Sequence, residues 1–198
     1  NYTKKRKANK GDFTLGIVQW YSLQQEIDDP YYLQIRQGIE NFCLQNNINV
    51  IRTFKTDLNY LDALKNVDGL VCIGKFSNDE IVKFKKISNK IVFLDMVSSH
   101  RNDTTITLDF EAAIKEAMDY LQLSNHQKIG FLGGKELLDD NTIYPDPRKE
   151  VFIKYCNDHN ITYETYLYED AFTTESGYTM MVEMISKKDL PTAIFCAS

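Results

Sequence analysis

The chain has 198 residues, of which 43% are apolar and 26% are charged, which is an ordinary composition for a globular protein. It excludes a disordered, collagen-like or coiled-coil chain and leaves room for one domain or two small ones. The formal net charge of −5 argues against a nucleic-acid-binding surface over the whole chain. The charge is uneven, because residues 1–10 carry +5 and the remaining residues carry −10.

The composition also bears on the membrane and on redox chemistry. No stretch reaches the roughly 20 consecutive apolar residues that a membrane span needs, so no membrane partner is expected. The four cysteines lie far apart in apolar stretches and form no C-x-x-C pair; they are Cys43, Cys72, Cys156 and Cys196. We predict reduced, buried thiols and therefore a cytoplasmic protein.

Short β-branched runs alternate with stretches of helical period along most of the chain. This alternation predicts an α/β fold, in which helices cover both faces of parallel sheets. The predicted strands are residues 13–20, 48–54, 70–73, 91–95, 104–108, 128–133, 163–168 and 192–197.

Cap residues mark the ends of several predicted helices. Asp29 can cap a helix whose first residue is Pro30. A second amphipathic helix begins near Phe110, and Asn125 stands just past its end, where a left-handed residue is common. The last apolar run, residues 193–198, is typical of a buried strand that needs further cover. We therefore expect a fold that is incomplete at its C-terminus.

The common catalytic and phosphate-binding motifs are absent. The chain contains no G-x-S-x-G, G-x-G-x-x-G, P-loop or H-E-x-x-H pattern, and its three histidines lack metal-ligand spacing. We interpret Gly133-Gly134 as a tight turn and His126 as a helix-terminal residue that bonds to backbone. No enzymatic activity, cofactor or metal site is expected.

Aromatic and charged side chains follow the predicted strands, where open parallel sheets bind their ligands. Rings pack against the C–H faces of sugars, while fixed polar groups pair with hydroxyls. The opposing interpretation is that some of these rings belong to the core. The set comprises Trp20, Tyr21, Tyr31, Tyr32, Lys75, Asp95, Asp109, Tyr144, Asp146, Arg148 and Phe172.

Arg148 follows Pro147 at the start of a predicted helix, where the helix dipole disfavours a cation. It is either held there for a ligand or forms a salt bridge with Asp146 or Glu150. The spacing leaves these alternatives open.

An ordered series of segments resembles the effector-binding core of LacI/GalR-family bacterial regulators, most of all their galactose-operon repressor branch. The segments include VDGLV, IVFLD, HQKIGFLGG and PTAIFCAS. The resemblance implies two similar periplasmic-binding-protein-like subdomains, at residues 11–124 and 125–198, with the effector in the cleft between them. It also implies that the second subdomain is truncated here.

The resemblance assigns roles residue by residue. The implied ligand contacts are Trp20, Tyr21, Tyr31, Tyr32, Lys75, Asp109, Thr142, Tyr144, Arg148 and Phe172. At Lys75 the family usually has a small polar residue. Asp95 and Met96 match a subdomain-interface position implicated in dimer switching. Residues 1–10 match the hinge beside DNA, with Lys4, Lys5, Arg6 and Lys7 available for phosphate contact.

We therefore expect a sugar-responsive repressor that forms a homodimer and binds operator DNA through a helix-turn-helix domain before Asn1. Galactose or a related hexose is the expected effector. The alternative is a periplasmic-type sugar-binding protein that feeds a transporter.

Overall fold

The computed structural model describes residues 13–197, which form two compact units. Unit 1 ends at Thr107 and unit 2 begins at Leu108. Each unit is an α/β fold on a parallel sheet, as the alternation of strand and helix patterns predicts. The predicted hinge residues lie outside the described residues; they are Lys4, Lys5, Arg6 and Lys7.

Unit 1 contains a five-stranded parallel sheet with the order β2-β1-β3-β4-β5. Its strands are β1 (Thr14–Gln19), β2 (Asn49–Phe54), β3 (Gly69–Ile73), β4 (Ile91–Leu94) and β5 (Thr104–Ile106). Its helices are α1 (Leu23–Asp28), α2 (Tyr31–Gln45), α3 (Tyr60–Ala63) and α4 (Asn78–Ile87). Because all five strands are parallel, their carboxyl ends share one edge of the sheet.

Unit 2 contains a three-stranded parallel sheet with the order β10-β6-β9, and a small antiparallel hairpin. The strands are β6 (Ile129–Gly134), β9 (Leu167–Asp170) and β10 (Ala193–Cys196), and the hairpin pairs β7 (Glu136–Leu137) with β8 (Ile143–Tyr144). The helices are α5 (Phe110–Leu123), α6 (Pro147–Asp158) and α7 (Thr174–Ile185), and a 3-10 turn covers Glu164–Tyr166.

Several helix ends follow from local hydrogen bonding. Asp109 caps α5, since its carboxylate accepts the N–H of Ala112 at 3.0 Å. Asn125 has φ 64°, the left-handed conformation expected after this helix. Pro30 is the N-cap of α2 instead of its first residue, and Asp29 accepts the N–H of Tyr31 at 3.1 Å.

The division between the units differs from the predicted boundary at residues 124 and 125. Helix α5 belongs to unit 2, because Ile114 and Met118 join the core that contains Phe131 and Phe152. Tyr155 of α6 adds a polar contact, with its hydroxyl 2.6 Å from Asp119 Oδ1. Burial of Tyr155 raises the pKa of its phenol to about 12.

Four local expectations are wrong. Gly133-Gly134 ends strand β6 and is not a tight turn. Residues 163–166 precede β9 instead of forming part of a strand. All four cysteines are free thiols and three of them are buried, as expected, but Cys196 is exposed. The imidazole of His126 lies 2.9 Å from the hydroxyl of Thr192, so its partner is a side chain and not the backbone.

Within residues 13–197, no helix is long and apolar enough to cross a bilayer. The same residues contain no group of three or more His, Cys, Asp or Glu side chains that could hold a metal ion.

Candidate functional site

Four aromatic side chains gather where β1 ends and α2 begins in unit 1. The ring centroids of Trp20 and Tyr21 lie 5.2 Å apart, those of Tyr21 and Tyr32 lie 4.7 Å apart, and those of Tyr31 and Tyr32 lie 5.1 Å apart. Tyr32 is buried, whereas the other three rings keep some exposed surface. We call these four residues the unit 1 aromatic cluster.

The loop after β3 is shaped to admit this cluster. Gly74 has φ 104°, and a Cβ atom there would lie 2.4 Å from the Cβ of Trp20. Glycine is therefore required for its backbone conformation and for the close approach of the indole. The N–H of Trp20 also bonds to the carbonyl of Ile73 at 2.9 Å, which fixes the start of the loop.

A buried ion pair lies beside the cluster. The ammonium of Lys75 donates to the side chain and the backbone carbonyl of Asp95, and the hydroxyl of Tyr32 donates to Asp95 Oδ2 at 2.7 Å. The Lys75 and Asp95 side chains are 8% and 10% exposed. The positive charge of Lys75 is thus neutralised within unit 1. Met96, the next residue, is buried.

Helix α1 is short but firmly attached. Arg36 of α2 forms a two-pronged pair with Glu26 of α1, with the closer contact at 2.7 Å, and both side chains are buried. The hydrogen bond to Glu26 raises the pKa of Arg36 above its usual value. This pair fixes α1, which lies in the chain between Tyr21 and Tyr31. It therefore helps to hold the first two rings of the aromatic cluster beside the last two.

In unit 2, Arg148 lies between two rings. Its guanidinium carbon is 5.0 Å from the ring centre of Phe172 and 5.6 Å from that of Phe110. Nε donates to Asp146 Oδ1 at 2.8 Å, and Nη1 donates to the carbonyl of Ala197 at 2.9 Å. Of the alternatives that the sequence left open, the structure shows the salt bridge with Asp146, the N-cap of α6, while a ligand role for Arg148 stays a prediction.

Phe172 reaches Arg148 by crossing the end of β6. A Cβ atom at Gly134 would lie 2.4 Å from the Phe172 ring, so this glycine makes room for it. We call Asp146, Arg148, Phe110 and Phe172 the unit 2 arginine cluster.

The remaining predicted site residues lie on the hairpin of unit 2 and at the start of α5. Thr142 and Tyr144 lie on the β7–β8 hairpin, where the Thr142 hydroxyl donates to Asp140 at 2.6 Å and Tyr144 pairs with Glu136. Asp109 is exposed and caps α5. The structure brings the unit 1 residues together with Lys75, and Arg148 with Phe172. A ligand role for any of them stays a prediction.

Sequence reasoning missed three contributors. Phe110 supplies the second ring at Arg148, although its helical period indicated only a core residue. Gln19 ends β1 fully buried, and among the described residues neither polar atom of its amide has a hydrogen-bond partner. The carbonyl of Ala197 bonds to Arg148, a backbone contact that no side-chain pattern could indicate.

Chemically, both clusters offer ring faces beside charges that are already paired. Such surroundings suit an uncharged polar ligand, whose C–H faces pack on rings and whose hydroxyls exchange hydrogen bonds with carboxylates.

Comparison with known proteins identifies the class. The chain is 34% identical over its full length to the HTH-type transcriptional regulator GalR of Streptococcus thermophilus, and covers 60% of that protein. It is 27% identical to the GalR regulator of Lacticaseibacillus casei, with 93% of this chain and 56% of that protein aligned. The chain therefore spans somewhat more than half the length of these curated relatives. No protein-family model matches it.

Solved structures share the fold. A LacI family transcriptional regulator from Lactobacillus casei with bound sucrose matches with a TM-score of 0.73 and 18% identity, over 94% of this chain and 70% of that one. The lac repressor dimer bound to operator and an anti-inducer matches with a TM-score of 0.75 and 21% identity, over 96% of this chain and 58% of that one.

The parallel α/β units and these matches show that the chain shares the fold of the solved LacI family regulators. Its sequence is similar to the GalR regulators, which are of the LacI/GalR type, over most or all of the chain, as its sequence segments predict.

Proposed function

We propose that the chain is the effector-binding and dimerisation core of a sugar-responsive transcriptional repressor. The observation that carries the proposal is the unit 2 arginine cluster, in which a charge-paired guanidinium lies between two rings at the carboxyl end of β6. The unit 1 aromatic cluster offers similar chemistry at the end of β1. A hexose, galactose or a close relative, fits rings and fixed polar groups of this kind.

Within this proposal the residues divide the work. The rings of Trp20, Tyr21, Tyr31 and Phe172 pack on the sugar, and Arg148 orients its hydroxyls. Thr142, Tyr144, Asp109 and Lys75 are further contacts that the family resemblance supports. Asp95 and Met96 transmit the bound state towards the partner subunit.

Regulation follows from linkage. Effector binding favours one conformation of the core, and operator affinity changes by the same coupling free energy. Operator DNA is read by a helix-turn-helix domain, with Lys4, Lys5, Arg6 and Lys7 contacting phosphates beside it. A homodimer matches the two half-sites of an operator, and the protein acts in the cytoplasm.

The relatives' names support regulation over transport, because the curated matches reported above are HTH-type regulators. The proposal gives the chain a binding role and no reaction.

A thermal-shift panel of free sugars and sugar phosphates on the full chain tests the proposal. Ligand that binds only the folded state raises the midpoint of unfolding with concentration. We expect a saturable increase with galactose or a related hexose. A panel in which no sugar moves the midpoint would contradict the proposed function.

A further inference from the structure

The carboxylate of Asp146 has two oxygens in different situations. Oδ1 accepts the backbone N–H of Arg148 at 2.9 Å and its Nε at 2.8 Å. Oδ2 is buried, and among the described residues it has no hydrogen-bond partner. The whole side chain is 7% exposed.

An orphaned oxygen of this kind is costly, because a buried acceptor that loses water and gains no donor keeps its full desolvation penalty. A donor that arrives with a ligand would remove that cost. The directions from which a donor can approach are restricted by the Arg148 guanidinium and by the rings of Phe110 and Phe172 beside it. The orphaned Oδ2 belongs to the same carboxylate that holds Arg148 in this position.

The charge balance decides which ligand chemistry fits. Arg148 and Asp146 together are neutral, and the next cation along α6, Lys149, is paired with Glu169. A phosphate ester would bring two negative charges against the Asp146 carboxylate. A free sugar would instead bring hydroxyl donors, which are what an unpaired carboxylate oxygen needs.

We infer that Asp146 is a specificity-determining residue: its Oδ2 accepts a hydroxyl of an uncharged sugar, and its charge cancels that of Arg148 so that sugar phosphates are rejected. This inference rests on the proposed function, because it concerns the selectivity of the same effector site. It adds a residue that the resemblance does not assign.

The test replaces the carboxylate without removing the helix cap. Asparagine caps helices about as well as aspartate, so Asp146→Asn keeps an oxygen for the Arg148 N–H and removes the negative charge. Asp146→Ser also keeps a cap and is the second variant. The control is Asp158→Asn in the same helix, where an exposed carboxylate pairs with Lys154 and the same charge is lost.

Titration calorimetry of the full chain measures the dissociation constants of D-galactose and α-D-galactose 1-phosphate. We expect wild type to prefer galactose. Asp146→Asn should weaken galactose roughly tenfold and tighten the phosphate roughly tenfold, because a charged hydrogen bond is lost and a repulsion is removed. Asp158→Asn should leave both constants unchanged, and Asp146→Ser should follow Asp146→Asn in direction.

Three results would overturn the inference. Wild type could bind the phosphate as tightly as galactose, the ratio of the two constants could stay unchanged in both Asp146 variants, or Asp158→Asn could shift the ratio as much. In each case the chain still binds sugar and the proposed function stands. If neither ligand binds and no sugar of the thermal-shift panel moves the midpoint, the proposed function fails and takes the inference with it; if another sugar moves the midpoint, that sugar and its phosphate replace the pair in the same titration.

Discussion

Lys75 and Asp95 carry opposite charges and are buried side by side in unit 1. Each side chain therefore depends on the other for its charge partner. The resemblance predicted Lys75 as a ligand contact and Asp95 as an interface residue, each by its place in the chain. The structure joins them with Tyr32 in one network. Asp95 also has φ 62°, a conformation that Asn and Asp tolerate better than other side chains. Asp95 thus suits this position in two respects, because its carboxylate pairs with Lys75 and its backbone adopts the left-handed conformation.

This pairing makes a prediction about stability. Lys75→Met should lower the free energy of unfolding by about 3 kcal/mol, because it leaves the Asp95 carboxylate buried beside no cation. Adding Asp95→Asn should recover part of the loss, since asparagine keeps the left-handed backbone without the charge. Denaturant unfolding of the single and double variants measures the coupling.

The matched control is Lys65→Met, which removes a lysine from an exposed pair with Asp62 and should change stability by less than about 0.5 kcal/mol. Strictly additive losses in the Lys75 and Asp95 variants would show that the two side chains do not depend on each other.

At the scale of elements, the sequence predicted well where periodicity extended over several turns. Helices α2 and α5 and strands β1 to β4 follow from apolar patterns that burial enforces on each face. Helix α1, the β7–β8 hairpin and the 3-10 turn are too short for a period to show. The left-handed cap at Asn125 was predictable, because a backbone rule and not packing determines it.

The candidate site was predictable only as a set of side chains at strand ends. Trp20, Tyr32 and Arg148 were predicted from their positions along the chain. Their partners, however, come from distant segments that packing brings together. The helix start at Pro147 was visible in the sequence, whereas the N-cap role of Asp146 and the approach of Phe110 and Phe172 to Arg148 were not.

The approach of Phe172 to β6 gives a prediction for these elements. Gly134→Ala should destabilise the chain by about 1–3 kcal/mol, because the new methyl group would overlap the Phe172 ring. Displacing that ring also removes its contact with Arg148, so sugar affinity should fall. Thermal unfolding and calorimetry measure the two effects.

Gly38→Ala serves as the contrast, since a Cβ atom at that exposed helical position meets nothing within 4 Å. There we expect a gain of about 0.5–1 kcal/mol and unchanged sugar affinity. A Gly134→Ala chain as stable as wild type would mean that the ring moves aside freely.

For the whole molecule, the net charge of −5 averages two parts that differ in sign. Residues 1–10 are basic, which suits the place beside DNA that we propose for them, while the acidic remainder contains both candidate clusters. The acidity that first argued against nucleic acid now fits a core that binds a small molecule. The division into two units, each with aromatic side chains at its strand ends, fits the same account.

The measurement that tests this account most directly is a calorimetric titration of D-galactose into wild type, Arg148→Ala and Lys154→Ala. Arg148 belongs to the unit 2 arginine cluster, whereas Lys154 lies on the same helix with its side chain 74% exposed. We predict saturable binding to wild type and Lys154→Ala, and at least a roughly tenfold loss of affinity in a folded Arg148→Ala chain. Equal affinity in all three proteins would contradict the account.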